Sequence, residues 1–293
     1  MTAFMISIED EKRLKGLGFL RNRGTDSFSA RVLTTNGKIT AAQTACLAEA
    51  ARRFGNGTVT FTSRLTVEIP GILYEQIEAF CAYIASEGLE TGGTGAKVRP
   101  VVSCKGTVCK FGLIDTFDLS AQIHSRFYEG YRAITLPHKF KIAVGGCPNS
   151  CVKPSLNDLG VVGQRRPVYD KTKCRGCKVC AVETVCPVGS AVVRQGKLNI
   201  DQTCVNCGLC VGRCPFGAIG SGVDGYQIYV GGRWGKKTAV GKPLGPMLTD
   251  VAAVLDTIES VIIFYKNEGE KGERFAQTIE RIGFDNVERM ILT

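Results

Sequence analysis

Eight cysteines gathered within residues 174–214 restrict this chain more than any other feature. Cys174, Cys177 and Cys180 precede Cys186-Pro187, and Cys204, Cys207 and Cys210 precede Cys214-Pro215. Three thiolates two residues apart can wrap one iron–sulfur cube corner by corner, while the distant cysteine before proline reaches across to a second cube. Cys214 is therefore expected to complete the first centre and Cys186 the second. Three residues separate the second triple from its Cys-Pro; in the first, five do (AVETV), so that loop is longer. Zinc ribbons pair their cysteines rather than tripling them, and two histidines are too few for His-based zinc sites.

The spacing is that of a bacterial two-cluster ferredoxin, and residues 169–220 form a short, Cys-rich island with few apolar residues. Metal must replace a hydrophobic core there, and an ordinary globular pattern on both sides makes the island an insertion. The rest of the 293-residue chain is long enough for one large domain or two to three small ones. With 44% hydrophobic and 22% charged residues it is neither disordered, collagenous nor a coiled-coil rod. No apolar run is long enough to span a bilayer, and MTAFMISIEDEKRLKG turns polar too early for a signal peptide, so a cytoplasmic location is expected. Thiols stay reduced in that compartment, which favours metal or redox chemistry over disulfides. The formal charge of +10 would ordinarily suggest nucleic acid. Its cations instead crowd the cysteine groups: Lys139, Lys141, Lys153, Arg165, Arg166, Lys171, Lys173 and Arg175 outnumber Asp158 and Asp170. Each four-thiolate 4Fe-4S centre carries roughly −2, so anionic cofactors and an anionic substrate account for the excess, and neither nucleic acid nor a membrane is expected as partner.

Thr40 and Gln43 form a capping box that predicts a helix through Phe54, stopped by Gly55. From Val59 the residues alternate, which predicts a strand pair with Val59, Phe61, Leu65, Val67 and Ile69 on one face and Thr60, Thr62, Arg64, Thr66 and Glu68 on the other. A helix from about Leu73 to Glu87 completes a small α+β unit, and Gly92, Gly93 and Gly95 mark a boundary near residue 93. A later strand alternates Phe140, Ile142 and Val144 with Lys139 and Lys141, then runs into GGCPNSC. After Gly220 come a strand, GYQIYVGG, and helices from about Thr249 to Lys266 and Lys271 to Ile282. Cys46 and Cys81 lie on helices and are read as small buried hydrophobes.

The remaining cysteines are Cys104 and Cys109 in CKGTVC and Cys147 and Cys151 in GGCPNSCVKPSLNDLG, followed by DLGV at Asp158–Val161. This run resembles the signature of the sirohaem-dependent sulfite and nitrite reductases. GNGTVTFTSRLTVEIPGI, LPHKFKIAV and GYQIYVGGRWGKK extend the likeness, in order, over most of the chain. An inserted two-cluster ferredoxin domain is similar to the dissimilatory and anaerobic sulfite reductase catalytic subunits. The first cysteine pair departs from the family pattern, with a four-residue gap where five is usual, and so does Gly145.

The resemblance implies an α+β protein of sulfite reductase-like α/β units with an inserted 2×4Fe-4S ferredoxin domain. Residues 1–92 would be a ferredoxin-like half-domain, 93–168 with 221–293 the sirohaem and 4Fe-4S domain, and 169–220 the insert. It further implies three 4Fe-4S clusters and a sirohaem, with Cys104, Cys109, Cys147 and Cys151 holding one cluster and Cys151 shared with the sirohaem iron. Arg64, Lys139 and Lys141, with Arg99 in VRPVVSC, match the family's cationic substrate ligands; Arg233, Lys236 and Lys237 are candidates to meet sirohaem carboxylates. Sulfite would be reduced to sulfide in six one-electron steps. The donor would be another protein, such as a ferredoxin or a flavin/iron–sulfur subunit, since no flavin or nicotinamide motif is present. The chain holds one copy of a unit that full-size members contain twice, so a homo- or hetero-oligomer is expected. Nitrite reduction and a non-catalytic multi-cluster electron-transfer subunit are the alternatives.

Overall fold

The chain enters its first helix, α1 (Ile8–Gly16), from Ser7, whose hydroxyl accepts the Asp10 N–H. The computed structural model describes residues 6–293. They divide into two compact units: residues up to Ser103 with Ser120–Ile142 and Val261–Met290, and Cys104–Leu119 with Ala143–Ser260 and Ile291–Thr293.

After α1, the first unit continues through β1 (Phe19–Arg21), β2 (Ser27–Val32), α2 (Ala41–Phe54), β3 (Thr60–Phe61), β4 (Val67–Leu73), α3 (Ile77–Ala85) and β5 (Val102–Ser103). The antiparallel sheet has the order β1-β2-β4-β3. β2 alternates as a half-buried strand must: Phe28, Ala30 and Val32 are buried, while Ser27, Ser29 and Arg31 face outward. Leu47, Ala50 and Ala51 of α2 and Ile77, Phe80 and Ile84 of α3 join the same core. Phe80 makes edge-to-face contacts with Phe19 and Phe54, at centroid distances of 6.1 and 6.0 Å. The expected capping box at Thr40 is present, with Gln43 bonded back to it and Gly55 at the C-terminus. Cys46 packs in this core and Cys81 against it, and burial pushes both thiols up.

Two local expectations differ. The alternation from Val59 is interrupted by a turn at Thr62–Thr66, so Phe61 is 77% exposed and Arg64 lies on the turn rather than on a strand face. The Thr62 hydroxyl accepts the N–H groups of Arg64 and Thr66, and Leu65 takes a left-handed φ of 60°. Leu73 ends β4; a short 3-10 turn, Tyr74–Gln76, separates it from α3.

In the second unit the strands are β6 (Ile142–Gly145, entering from Ile142 of the first), β7 (Leu159–Val168), β8 (Ala191–Arg194), β9 (Lys197–Ile200), β10 (Ser221–Val230) and β11 (Lys242–Leu248). Its sheet runs β11-β10-β7-β6, with β10 antiparallel to both neighbours, and β8-β9 is a separate hairpin. The next helix, Val251–Glu268, begins in this unit and from Val261 belongs to the first; it is near its expected place. The following one begins at Phe275, with Arg274 as N-cap, rather than at Lys271. Gly283, at φ 89°, separates it from a further helix, Phe284–Leu292, which periodicity did not reveal. No helix among the described residues is long and apolar enough to cross a membrane.

Candidate iron–sulfur centres and cationic cavity

Cys104, Cys109, Cys147 and Cys151 come from two loops of the second unit. The loops meet through glycines: a Cβ on Gly146 would lie 2.7 Å from Gly106 Cα, and one on Gly106 2.6 Å from Thr116 Cγ2. Gly145 likewise has no room for a side chain, since a Cβ there would sit 2.9 Å from Pro154. Thr116 Oγ1 donates to the Cys104 carbonyl at 2.7 Å, and the Gly146 N–H donates to Cys104 Sγ at 3.1 Å. Burial pushes the Cys147 thiol up, and the proximity of Cys104, Cys151 and Cys109 pushes it further. A cationic cluster core would offset the mutual repulsion of four sulfurs brought together in this way. Cys151 is the most exposed of the four.

In the island Val182, Ala191, Leu198 and Ile219 form a small buried apolar cluster, and Cys174, Cys180, Cys186, Cys210 and Cys214 pack against it. A cavity is lined by Cys186, Cys204, Cys207 and Cys210, so Cys186 joins the second triple. Burial, with the proximity of Cys204, Cys207 and Cys186, pushes the Cys210 thiol up to about 11. Cys174 Sγ accepts the Leu198 N–H at 3.4 Å, and Lys197 Nζ holds the Cys174 carbonyl at 2.7 Å. No three His, Cys, Asp or Glu side chains among the described residues converge on a point suited to one metal ion. The corners of a four-iron cube call for a wider set.

The four cations matched by resemblance come together in the first unit. Arg64, Arg99, Lys139 and Lys141 line a cavity of ≈ 300 Å³. Lys139 and Lys141 alternate with Phe140 and Ile142, both fully buried, which points the lysines to the cavity side. Arg64 Nη2 donates to the carbonyls of Pro100 (2.6 Å) and Ile142 (3.2 Å), and Arg99 Nη1 donates to the Gly93 carbonyl. Sequence reasoning missed two further cations of this wall, Lys15 and Arg31. Arg31 is paired with Glu68, directly opposite it across the β2–β4 ladder, at 2.5 Å.

Arg233, Lys236 and Lys237 lie elsewhere, on a hairpin of the second unit closed by Arg233 and Ala239. The glycine before it serves a backbone approach: a Cβ on Gly232 would meet the Ser155 and Asn157 carbonyls at 2.3 Å. Lys236 and Lys237 are exposed, as is Trp234, whose ring centroid lies 5.5 Å from Lys153 Nζ, two residues beyond Cys151.

Three cysteine groups and a cation-lined cavity on an α+β scaffold are the residue types that an iron–sulfur protein brings together. Residues 94–293 match the nitrite and sulphite reductase 4Fe-4S domain, and residues 21–86 match the nitrite/sulfite reductase ferredoxin-like half domain. The chain belongs to the nitrite and sulfite reductase family. It is 34% identical over 234 residues to the coenzyme F420-dependent sulfite reductase of Methanocaldococcus jannaschii, covering 78% of this chain but only 36% of that protein. An uncharacterized protein of the same organism is 31% identical over 269 residues, covering 91% of both chains. The crystal structure of dissimilatory sulfite reductase I shares the fold, with a TM-score of 0.72 at 23% identity over 91% of this chain and 69% of that one.

Proposed function

We propose that the chain is the sirohaem- and 4Fe-4S-binding catalytic part of a sulfite reductase, carrying six electrons to sulfite through three 4Fe-4S clusters. The cavity walled by Lys15, Arg31, Arg64, Arg99, Lys139 and Lys141 carries the reading, because a small dianion needs such a concentration of donors. Cys104, Cys109, Cys147 and Cys151 would hold the coupled cluster. The exposure of Cys151 suits a sulfur shared with a second metal. Bound sirohaem would supply the iron that takes the anion by its sulfur. Arg64 and Arg99 would orient the sulfite oxygens, and the ammonium groups of Lys139 and Lys141 would hold protons ready for departing water. Arg233, Lys236 and Lys237 would neutralise carboxylates at the macrocycle rim. Residues 169–220 would be the electron-accepting insert between the segments 93–168 and 221–293, with residues 1–92 as the half-domain.

The external donor would be an iron–sulfur or flavin protein, the location cytoplasmic, and the assembly an oligomer that supplies a second copy of the unit. Anaerobically purified protein should contain about twelve iron and twelve sulfide, plus one haem iron. It should show sirohaem absorption that changes on sulfite addition and consume reduced viologen with sulfite. A colourless or purely ferredoxin-like spectrum after cofactor supply defeats the proposal. Faster turnover of nitrite than of sulfite would reassign the substrate.

A further inference from the structure

Resting on that reading, we infer that the two insert centres are not equivalent: the Cys186/Cys204/Cys207/Cys210 centre is the last relay to the Cys104/Cys109/Cys147/Cys151 cluster. The Cys174/Cys177/Cys180/Cys214 centre stands upstream of it. The two triples are attached to different parts of the second unit.

The Cys204–Gly208 loop is bound to β7. Arg165 bridges Cys207 in parallel register, its N–H donates to the Asn206 carbonyl at 2.7 Å, and Asn206 Nδ2 donates to the buried Gln164 Oε1 at 3.0 Å. Gly208 lies against the Arg165 side chain so closely that a Cβ would meet it at 2.8 Å. Two residues back from Arg165 along β7, Gly163 lies against the loop of the other cysteine group: a Cβ there would lie 2.6 Å from the carbonyl of Gly146, the neighbour of Cys147. Cys207, Asn206, Gln164, Gly163, Gly146 and Cys147 thus form a continuous run of bonded and touching atoms.

The Cys174 triple is attached to the β8–β9 hairpin instead. A Cβ on Gly176 would lie 2.0 Å from the Gly196 carbonyl, and Lys197 and Leu198 bond to Cys174. Each hop oxidises one reduced cube by one electron and reduces the next. A reduced iron–sulfur or flavin donor protein restores the upstream centre, and six passages match one sulfite.

The test uses the cluster-loaded protein and EPR rather than turnover. Cys177→Ala removes a ligand of the upstream centre, and Cys207→Ala one of the last relay. The spin relaxation of the surviving reduced insert centre is then measured beside the paramagnetic coupled cluster. Relaxation is expected to be several-fold faster in Cys177→Ala, which keeps the nearer centre; equal rates or the reverse order overturn the assignment. Asn206→Ala, with every cysteine retained, should shift only the faster-relaxing insert signal, and a shift confined to the slower one also overturns it. An absent sirohaem spectrum would instead be a failure of the proposed function. The reduced coupled cube alone is a paramagnet, so the comparison survives that failure.

Discussion

Replacing Gly146 by alanine tests whether the first cysteine group depends on the close approach of its two loops. The added Cβ would lie 2.7 Å from Gly106 Cα, 3.2 Å from Thr116 Cγ2 and 3.5 Å from Cys104 Sγ. Ordinary contact begins near 3.4 Å, so the Gly106 loop must retreat by 3.4 − 2.7, or 0.7 Å, and it is backbone that has to move. Neither glycine has a positive φ, so the cost is steric rather than conformational. Overpacking of this kind costs about 1–3 kcal/mol. With an unfolding entropy of about 2.1 cal/mol/K per residue, 293 residues give about 0.6 kcal/mol/K, so 2 kcal/mol lowers Tm by about 3 °C. The displaced loop carries Cys104 and Cys109, so the coupled-cluster EPR signal should broaden. Anaerobic thermal unfolding at matched iron content provides the comparison. Gly16→Ala is the control: nothing lies within 4 Å of its Cβ, it ends α1, and it should raise stability by up to about 1 kcal/mol. A Gly146→Ala protein that melts with the unaltered chain and keeps its cluster spectrum would refute the reasoning.

Lys141→Met should lower kcat/KM for sulfite by about 10- to 150-fold, the loss of one charged hydrogen bond worth about 1.5–3 kcal/mol, with the visible spectrum unchanged. Unaltered steady-state kinetics would remove Lys141 from the anion site. Glu273, only 12% exposed and bonded to Arg281 at 3.0 Å, is held chiefly by that guanidinium at a pKa of about 2, against an ordinary 4.5. A depressed carboxyl stabilises the fold above about pH 4.5 and loses that contribution as pH falls toward 2, so Glu273→Gln should cost about 3 kcal/mol, or about 5 °C. The gap should be equal at pH 5.5 and 7, and a gap that changes between them refutes the assignment. Anaerobic iron chelation should expose residues 169–220 to limited proteolysis while the Phe19–Phe28–Phe80 core stays resistant. Uniform cleavage throughout the chain would show that the island is not metal-dependent.

What could be read from the sequence was local. Motif spacing is local, so the two cysteine triples could be picked out without knowledge of the fold, and the structure gathers Cys186 with Cys204, Cys207 and Cys210 around one cavity. The Thr40–Gln43 cap and the alternation of Phe140 and Ile142 with Lys139 and Lys141 are short-range in the same way. The turn at Thr62–Thr66 was missed because a side chain organises it: the Thr62 hydroxyl collects two N–H groups, and after the single polar Ser63 the apolar alternation resumes at Leu65 in the same phase. Leu73 has helical spacing with Ile77 and Phe80, yet it pairs with Ser27 as the last residue of β4, a tertiary preference that periodicity does not contain. Lys15 and Arg31 reach the cavity only after folding, and on their own they resemble any solvated helix or strand face.

The cations of this cavity are held in two different ways. Arg31 is neutralised by Glu68, at the price of being less available to an anion. Arg64 and Arg99 are held by backbone carbonyls of Pro100, Ile142 and Gly93, acceptors that carry no formal charge. If the cavity takes the anion proposed above, these carbonyl acceptors would preorganise the cations, and little reorganisation would remain when charge moves off the substrate oxygens. Arg64 owes this position to the Thr62–Thr66 turn. The feature that broke the expected alternation is thus the one that turns Arg64 toward the Pro100 and Ile142 carbonyls, and a regular strand through residue 64 would have left it on an open sheet face.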